Sequence, residues 1–301
     1  MELARVKLKA PDNKRPIKIF PLGDIHLGAA ACDIEHLRRT VAMIANDPDA
    51  YWLGMGDYGD LIMPSDPRWS FSVLDWKRLG FTNGRPDPKN LGVESRDLVA
   101  RELDPIGTKC LGIHFGNHEQ AFSRHYFIDL AGFLADRFKA PSLGYTALTR
   151  LEIEVRRGRG NPSRWAPVVF SEHGAKGGGT DGNAMNNLQL RGNEFEANVY
   201  LKGHVHKRSI VHRDLFAWGI ERGHTNLKLA VRDRVFVLTG TYLKGYVTAD
   251  NRSTGDGRAE TTYGEYKGYP PNEIGGTVLI LEPHEQRIHA MNVEALASVG
   301  R

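Results

Sequence analysis

Five short apolar runs along the chain each end near a turn residue and hand over to ligand-type side chains. Arg15 to Leu22 runs into Gly23-Asp24-Ile25-His26, and Tyr51 to Met55 into Gly56-Asp57-Tyr58-Gly59-Asp60. Lys109 to Phe115 precedes Gly116-Asn117-His118-Glu119. Val168 to Phe170 leads through Ser171 and Glu172 to His173-Gly174, and Ala197 to Lys202 precedes Gly203-His204-Val205-His206. Runs this short, bounded by glycine and polar residues, read as strands. Between the first two, Asp33 is the expected N-cap of a helix whose apolar face is Ile34, Leu37, Val41 and Ile44, and Asn46-Asp47-Pro48-Asp49 ends it. Strand, helix and strand make a crossover unit, which predicts parallel strands.

Further helices are expected over Glu94 to Leu103 and over a segment with Phe127, Leu130, Ala131, Leu134 and Phe138 on one face. Leu151 to Val155 alternates and should pair with Val168 to Phe170 as an antiparallel hairpin. Arg234 to Thr239 and Gly276 to Leu281 complete the apolar strands. His114 lies inside a strand and is expected to be structural. Residues 61–93, rich in Pro, Gly and Asp, predict an insertion packed by its own Trp69, Phe71, Trp76 and Phe81 rather than a base-stacking platform. Residues 248–271 read as a polar surface loop, and with no linker evident, residues 1–301 are expected to form one domain.

Composition adds little: 41% hydrophobic and 25% charged residues describe an ordinary globular chain that can build a core without staples. Cys32 and Cys110 make no disulfide framework. No stretch has the length of a signal peptide or a membrane span, so a cytoplasmic location and no membrane partner are expected. Charge changes the picture more. The net charge is +4, but Lys202 to Lys244 holds nine basic residues against three acids, overlapping the last motif. Such an excess is either a solvated face or an electropositive approach for a polyanion.

Carboxylates, imidazoles and an amide suit divalent transition metals. Strand ends that supply them can hold two ions when one carboxylate bridges, and Asp57, on a glycine-flanked turn, is the natural bridge. Two ions roughly 3.5–4 Å apart clamp the attacking and leaving oxygens of an in-line displacement and acidify a bound water.

The ordered set D-x-H, G-D-x-x-D, G-N-H-E, H-G and G-H-x-H resembles the calcineurin-like metallophosphoesterase superfamily over roughly residues 17–210. The resemblance implies an α/β fold, a four-layer α-β-β-α sandwich of two mixed β-sheets with helices outside and the metal site at strand C-terminal ends. It implies that Asp24, His26 and His206 hold one ion and that Asn117, His173 and His204 hold the other, with Asp57 bridging. His118 would stabilise or protonate the leaving oxygen, Asp60 would orient His118 through its carboxylate, and Glu119 would have a supporting structural role. Two divalent ions are expected, manganese first, with iron, zinc or nickel compatible with the same donors.

The protein Ser/Thr phosphatases resembling this family carry an arginine just after the second Asp of G-D-x-x-D, where this chain has Leu61. That departure favours a phosphodiesterase or nuclease acting on nucleic acid (DNA or RNA) or nucleotides by attack of a metal-bridging hydroxide. A phosphomonoesterase is the alternative, and a non-catalytic nucleic-acid-binding protein the third reading. The basic excess, the Arg156-Arg157-Gly158-Arg159 loop and the aromatic insertion favour nucleic acid. The Gly-rich run from Ala175 to Gly182 is expected to be a flap, with Lys176 a candidate substrate contact or simply an exposed loop lysine. His173-Gly174, this run and Asn186-Asn187-Leu188 also resemble compact metallophosphoesterases of phage and prophage genomes.

Overall fold

The central strands form where apolar side chains can be covered on both faces. A computed structural model describes residues 1–12, 14–62, 66, 69, 73–81, 90–156, 161–175, 180–220, 227–247, 262, 264–265, 268 and 270–299. In chain order its elements are β1 (Glu2–Lys9), β2 (Ile17–Leu22), α1 (Ile34–Asn46), β3 (Ala50–Gly54), α2 (Leu91–Leu103), β4 (Cys110–His114), α3 (Asn117–Tyr126) and α4 (Leu130–Phe138). There follow β5 (Ser142–Gly144), β6 (Thr146–Val155), β7 (Ser163–Trp165), β8 (Val168–Glu172), α5 (Asp181–Glu194), β9 (Val199–Lys202), β10 (Arg208–Ile220), β11 (Leu227–Thr241), β12 (Gly275–Glu282), β13 (Arg287–Asn292) and α6 (Val293–Val299).

β2, β3 and β4 are buried almost throughout and pair in parallel, as a crossover requires. Asp33 caps α1 by accepting from the His36 N–H, and Ile34, Leu37, Val41 and Ile44 form its buried face. Helices α1, α2 and α4 cover one side of these strands around Trp52, Val99 and Phe122. On the other half of the molecule, α5 covers β8, β9 and β11 through Leu188, Tyr200 and Phe236. Between the halves, Ile19, Leu53 and Leu111 meet Leu151, Val169, Leu201 and Val237 in a common interior.

The expected four-layer α-β-β-α sandwich of two separate mixed sheets is not formed. The strands make one mixed sheet in the order β1-β6-β8-β9-β11-β12-β2-β3-β4-β5, with β7, β10 and β13 joined to β6, β11 and β12. The sheet is bent into a nearly closed, barrel-like form. Its end strands approach one another: a Cβ added to Gly144 on β5 would lie 3.2 Å from Glu2 Cγ on β1. The physical reason is the reach of β11. It pairs with β9 through Val235 to Leu238, then its last residues, Gly240 and Thr241, pair with Gly276 and Gly275 of β12. The apolar pattern outlines only Arg234 to Thr239 of that strand, so the junction is hidden in the sequence.

Other elements depart less. The helix expected to include Phe127 begins at Leu130, because Phe127 takes a left-handed backbone (φ 57°) and is 92% exposed. β6 and β8 pair antiparallel, but through Thr146 to Arg150; within the expected Leu151 to Val155, Ile153 to Val155 pair instead with β7, which lies between the two strands in the chain. Trp69, Trp76 and Phe81 pack edge-on against each other and against the main core, a mini-core rather than an open platform. Phe71 and residues 248–261 lie outside the described residues. Both cysteines are free thiols. Among the described residues no helix is long and apolar enough to cross a membrane.

His114, at the end of β4, ties three strands together as the structural residue expected. Its Nδ1 lies 3.0 Å from the Gly144 carbonyl, which can only accept, so Nδ1 carries the proton and Nε2 accepts from the Ser171 hydroxyl at 2.7 Å. Burial lowers its pKa to about 4. Between that value and the unfolded value near 6.5, the unfolded chain binds more protons, so this contribution is present above pH ~6.5 and is lost as pH falls toward ~4. The loss is on the order of 3 kcal/mol. Urea midpoints of a His114→Gln variant should therefore depend less on pH across this window than those of the parent protein; parallel profiles would contradict the assignment.

Candidate metal centre

Each motif sits just past a strand end, and the parallel pairings aim those ends at one edge. Asp24 and His26 follow β2, Asp57 and Asp60 follow β3, and Asn117 and His118 open α3 after β4. His173 follows β8, and His204 and His206 follow β9, its parallel neighbour. The two sets are tied at the β11 end: the Asp24 carbonyl accepts from Thr241 Oγ1 at 2.8 Å and from the Tyr242 N–H at 3.0 Å.

The side chains converge in overlapping groups whose donor atoms lie within 4.8 Å of one another: Asp24, His26, Asp57 and His206, then Asp57, His173 and His204. Asp57 belongs to both. Asn117 joins the second group, its Oδ1 lying 2.7 Å from His204 Nδ1 and 3.1 Å from His173 Nε2. All seven candidate ligands are thus brought together. A further group unites His26, Asp60 and His118.

Holding them there costs backbone strain. Asp24, His26, Asp57, His204 and His206 all have positive φ, between 47° and 67°. Such a conformation costs a side-chain-bearing residue roughly 1–2 kcal/mol, and its concentration at one locus is characteristic of functional sites. The turn around Asp57 is also crowded. A Cβ on Gly56 (φ 90°) would lie 2.7 Å from both the Gly116 nitrogen and His173 Nδ1, and one on Gly116 would lie 2.1 Å from Asp57 Oδ1. Only glycine allows these approaches.

Glu119 offsets this cost. Its buried carboxylate accepts from the backbone N–H of Gly116 and Asp57 at one oxygen and of Tyr58 at the other, each at 2.8 Å. The Asp57 carboxylate in turn accepts from the His118 N–H at 3.0 Å, and its carbonyl accepts from the Ile25 and His26 amides. The supporting role expected of Glu119 thus has a definite form. The signal was available, since a glutamate three residues past a helix N-cap commonly takes the N-cap amide.

The donor set is suited to a cation. His173 Nδ1 donates to the Met55 carbonyl at 2.8 Å, so Nε2 is the nitrogen facing Asp57 Oδ2, at 3.3 Å. His26 Nδ1 lies on Asp60 Oδ1 at 3.1 Å, and its Nε2 faces His206 Nε2, also at 3.1 Å. That spacing fits two imidazoles on one ion with bonds of about 2.0–2.1 Å. Protonation equilibria reflect the crowding of unlike and like charges. Burial opposes ionisation of Asp57, but the imidazoles of His173, His118 and His26 outweigh it and hold the carboxyl well below its usual range. Burial and the Asp57 charge raise Asp24 to about 7, against the pull of His173 and His26. Burial also disfavours charge on His173, yet Asp57 and Asp24 raise it to about 10, whereas burial and the His173 charge lower His204 to about 4.

Asp60 and His118 meet differently from the expectation. The Asp60 carboxylate orients His26, and it is the Asp60 backbone carbonyl that accepts from His118 Nδ1. Lys176 lies outside the described residues. Of the basic residues from Lys202 to Lys244 whose side chains are described, five pair with carboxylates. Lys202 is buried against Glu172, Lys207 pairs with Asp181, Arg208 with Glu273 and Glu294, Arg232 with Glu196, and Lys244 with Asp33. Sequence reasoning did not single out Thr241, Tyr242 or Tyr145, whose hydroxyl donates to the Gly174 carbonyl at 2.7 Å. Their polar groups carry no motif, and only the fold brings them to the centre.

Comparison of the chain with protein-family models, curated proteins and solved structures found no match.

Replacing Glu119 by Gln keeps its size but turns an amide NH2 toward backbone donors. Equilibrium urea unfolding should register a loss of roughly 2–4 kcal/mol. A loss under about 0.5 kcal/mol, the range of an ordinary surface change, would show that the carboxylate does not clamp the turn.

Proposed function

We propose that the protein is a phosphoester hydrolase that works with two divalent metal ions, similar in its catalytic centre to the calcineurin-like metallophosphoesterases. The observation that carries this reading is the sharing of Asp57 between the Asp24–His26–His206 and His173–His204 groups. Asp24, His26 and His206 would hold one ion, and Asn117, His173 and His204 the other, with Asp57 common to both. When bound, such ions supply Lewis acidity toward phosphoryl oxygens and acidify water, and manganese, iron, zinc or nickel would suit these donors.

The chain's own residues supply the rest. His118 bonds a carbonyl through Nδ1, so that nitrogen carries a proton and Nε2 is the atom through which it would give a proton to the leaving oxygen. Asp60 positions both His118 and His26, through different atoms. Leu61, buried and apolar, stands where a phosphate-gripping arginine would favour phosphoprotein substrates. Phosphodiesters of nucleotides or nucleic acids are therefore the preferred substrates. The locally paired basic residues give a long polyanion less support than the charge count alone.

Rates on bis-p-nitrophenyl phosphate and p-nitrophenyl phosphate with added Mn2+ test this directly. Turnover is expected on both, faster on the diester, with Asp57→Asn as the inactive reference. His118→Ala should lower kcat by about 10²–10⁴-fold while leaving bound metal, measured by elemental analysis, unchanged. No turnover with any of the four metals would overturn the reading.

Binding should also show as stability. At about a hundredfold excess over its dissociation constant, Mn2+ should stabilise the folded state by about 2.7 kcal/mol, visible as a raised Tm. Asp57→Asn should lose most of that rise.

A further inference from the structure

β10 and β11 pair without interruption from Arg208↔Thr239 to Ile220↔Leu227, but only Val235 to Leu238 of β11 also pairs with β9. Their outer part is a two-stranded ribbon, an arrangement marginally stable by itself in water. Along it the side chains alternate. One face carries Phe216 opposite Val231 and Trp218 opposite Leu229, exposed by 65%, 54%, 75% and 67% respectively. Among the described residues nothing covers them.

We propose that this ribbon is a dimerisation arm, and that a second copy of the chain stacks its own Phe216–Trp218–Leu229–Val231 face against it about a two-fold axis. Two observations choose this occupant. The exposed apolar area is on the order of 500 Å² per copy, given the ~150–250 Å² that an aromatic side chain buries. With the whole patch covered, two copies together therefore reach the roughly 1,000 Å² that a specific interface must clear. Charge argues against a nucleic acid or an anionic membrane. Asp214 and Asp233, directly opposite one another and exposed, lie on the apolar face, whereas Arg213, Arg232 and Arg234 lie on the other. Of these, Arg232 pairs with Glu196, and Arg234 donates to the Gly192 carbonyl at 2.7 Å. The inference does not depend on the metal centre.

Sedimentation velocity of the full chain at micromolar concentrations, with and without Phe216→Ser plus Trp218→Ser, tests it. The parent protein should sediment as a dimer and the double variant as a monomer with an unchanged far-UV spectrum. Leu229→Lys, on the neighbouring strand, should act likewise if the double variant folds poorly. Phe127→Ser, at a still more exposed aromatic elsewhere, should leave the dimer intact. A monomeric parent protein, or a dimer that survives both ribbon variants, would overturn the proposal. So would a monomer whose ribbon face is needed to bind labelled duplex DNA or anionic vesicles.

Discussion

Three backbone N–H groups, those of Gly116, Asp57 and Tyr58, point into one buried carboxylate, that of Glu119. Two of them belong to the turn after β3 and one to the N-terminus of α3, so the carboxylate fixes the distance between those elements. Burial and the nearby Asp57 charge both disfavour ionisation of Glu119, and its pKa is raised. Yet donors fill both its oxygens, which favours the charged acceptor form. Because Asp57 lies within this turn at φ 51°, the clamp holds a strained residue in place. From Asp57 the constraint passes to α3 through the His118 amide and to the turn after β2 through the Ile25 and His26 amides. Five left-handed residues at roughly 1–2 kcal/mol each approach the net stability of a whole domain, so such reinforcement is a requirement of the arrangement.

The shape of the sheet provides the other half of the centre. β2, β3 and β4 deliver carboxylates, an amide and two imidazoles, and β8 and β9 deliver three more imidazoles. The halves meet through the last residues of β11, where Gly240 and Thr241 pair with β12 and the following Tyr242 amide holds the Asp24 carbonyl. Asp24 closes the contact in the other direction, its carboxylate accepting from the His204 N–H at 2.8 Å. The donor groups are therefore positioned by main-chain bonds from both halves, which is what precise placement of ligands requires.

The residues of the centre could be read from the sequence, while the sheet that gathers them could not. Strands that feed the motifs are apolar on both faces and stand out as continuous runs. α3 was hidden because Asn117 to Tyr126 is polar and its first turn reads as a motif. α5 is hidden likewise in Asp181 to Glu194, where Ala184, Met185 and Leu188 are its main apolar contacts. β10 escaped notice because its outer half is exposed on alternating sides and shows no buried run. The two expected sheets came from the resemblance, and the pairing of Gly240 and Thr241 with β12 that joins them has no signal in the apolar pattern. Charge misled for a similar reason: the partners of Arg208 and Arg232, Glu294 and Glu196, lie far along the chain or on another element.

The ring nitrogens give the division of labour proposed for the histidines its physical basis. His173 and His118 each commit Nδ1 to a backbone carbonyl, and His26 commits Nδ1 to the Asp60 carboxylate. A carbonyl fixes the tautomer and ring plane without adding charge, whereas a carboxylate also favours positive charge on the ring it holds. For His26 that direction is visible: burial would lower its pKa, but Asp60, Asp57 and Asp24 together raise it. A carboxylate behind the ring likewise strengthens an imidazole as a donor to a cation, the role proposed for His26. His118 has its Nδ1 on the Asp60 carbonyl, which fixes its ring through a neutral acceptor, a placement that would serve the proton donor proposed for it. Asp60 thus holds His26, the proposed ligand, through its side chain and His118, the proposed acid, through its backbone, a distinction no motif could have conveyed.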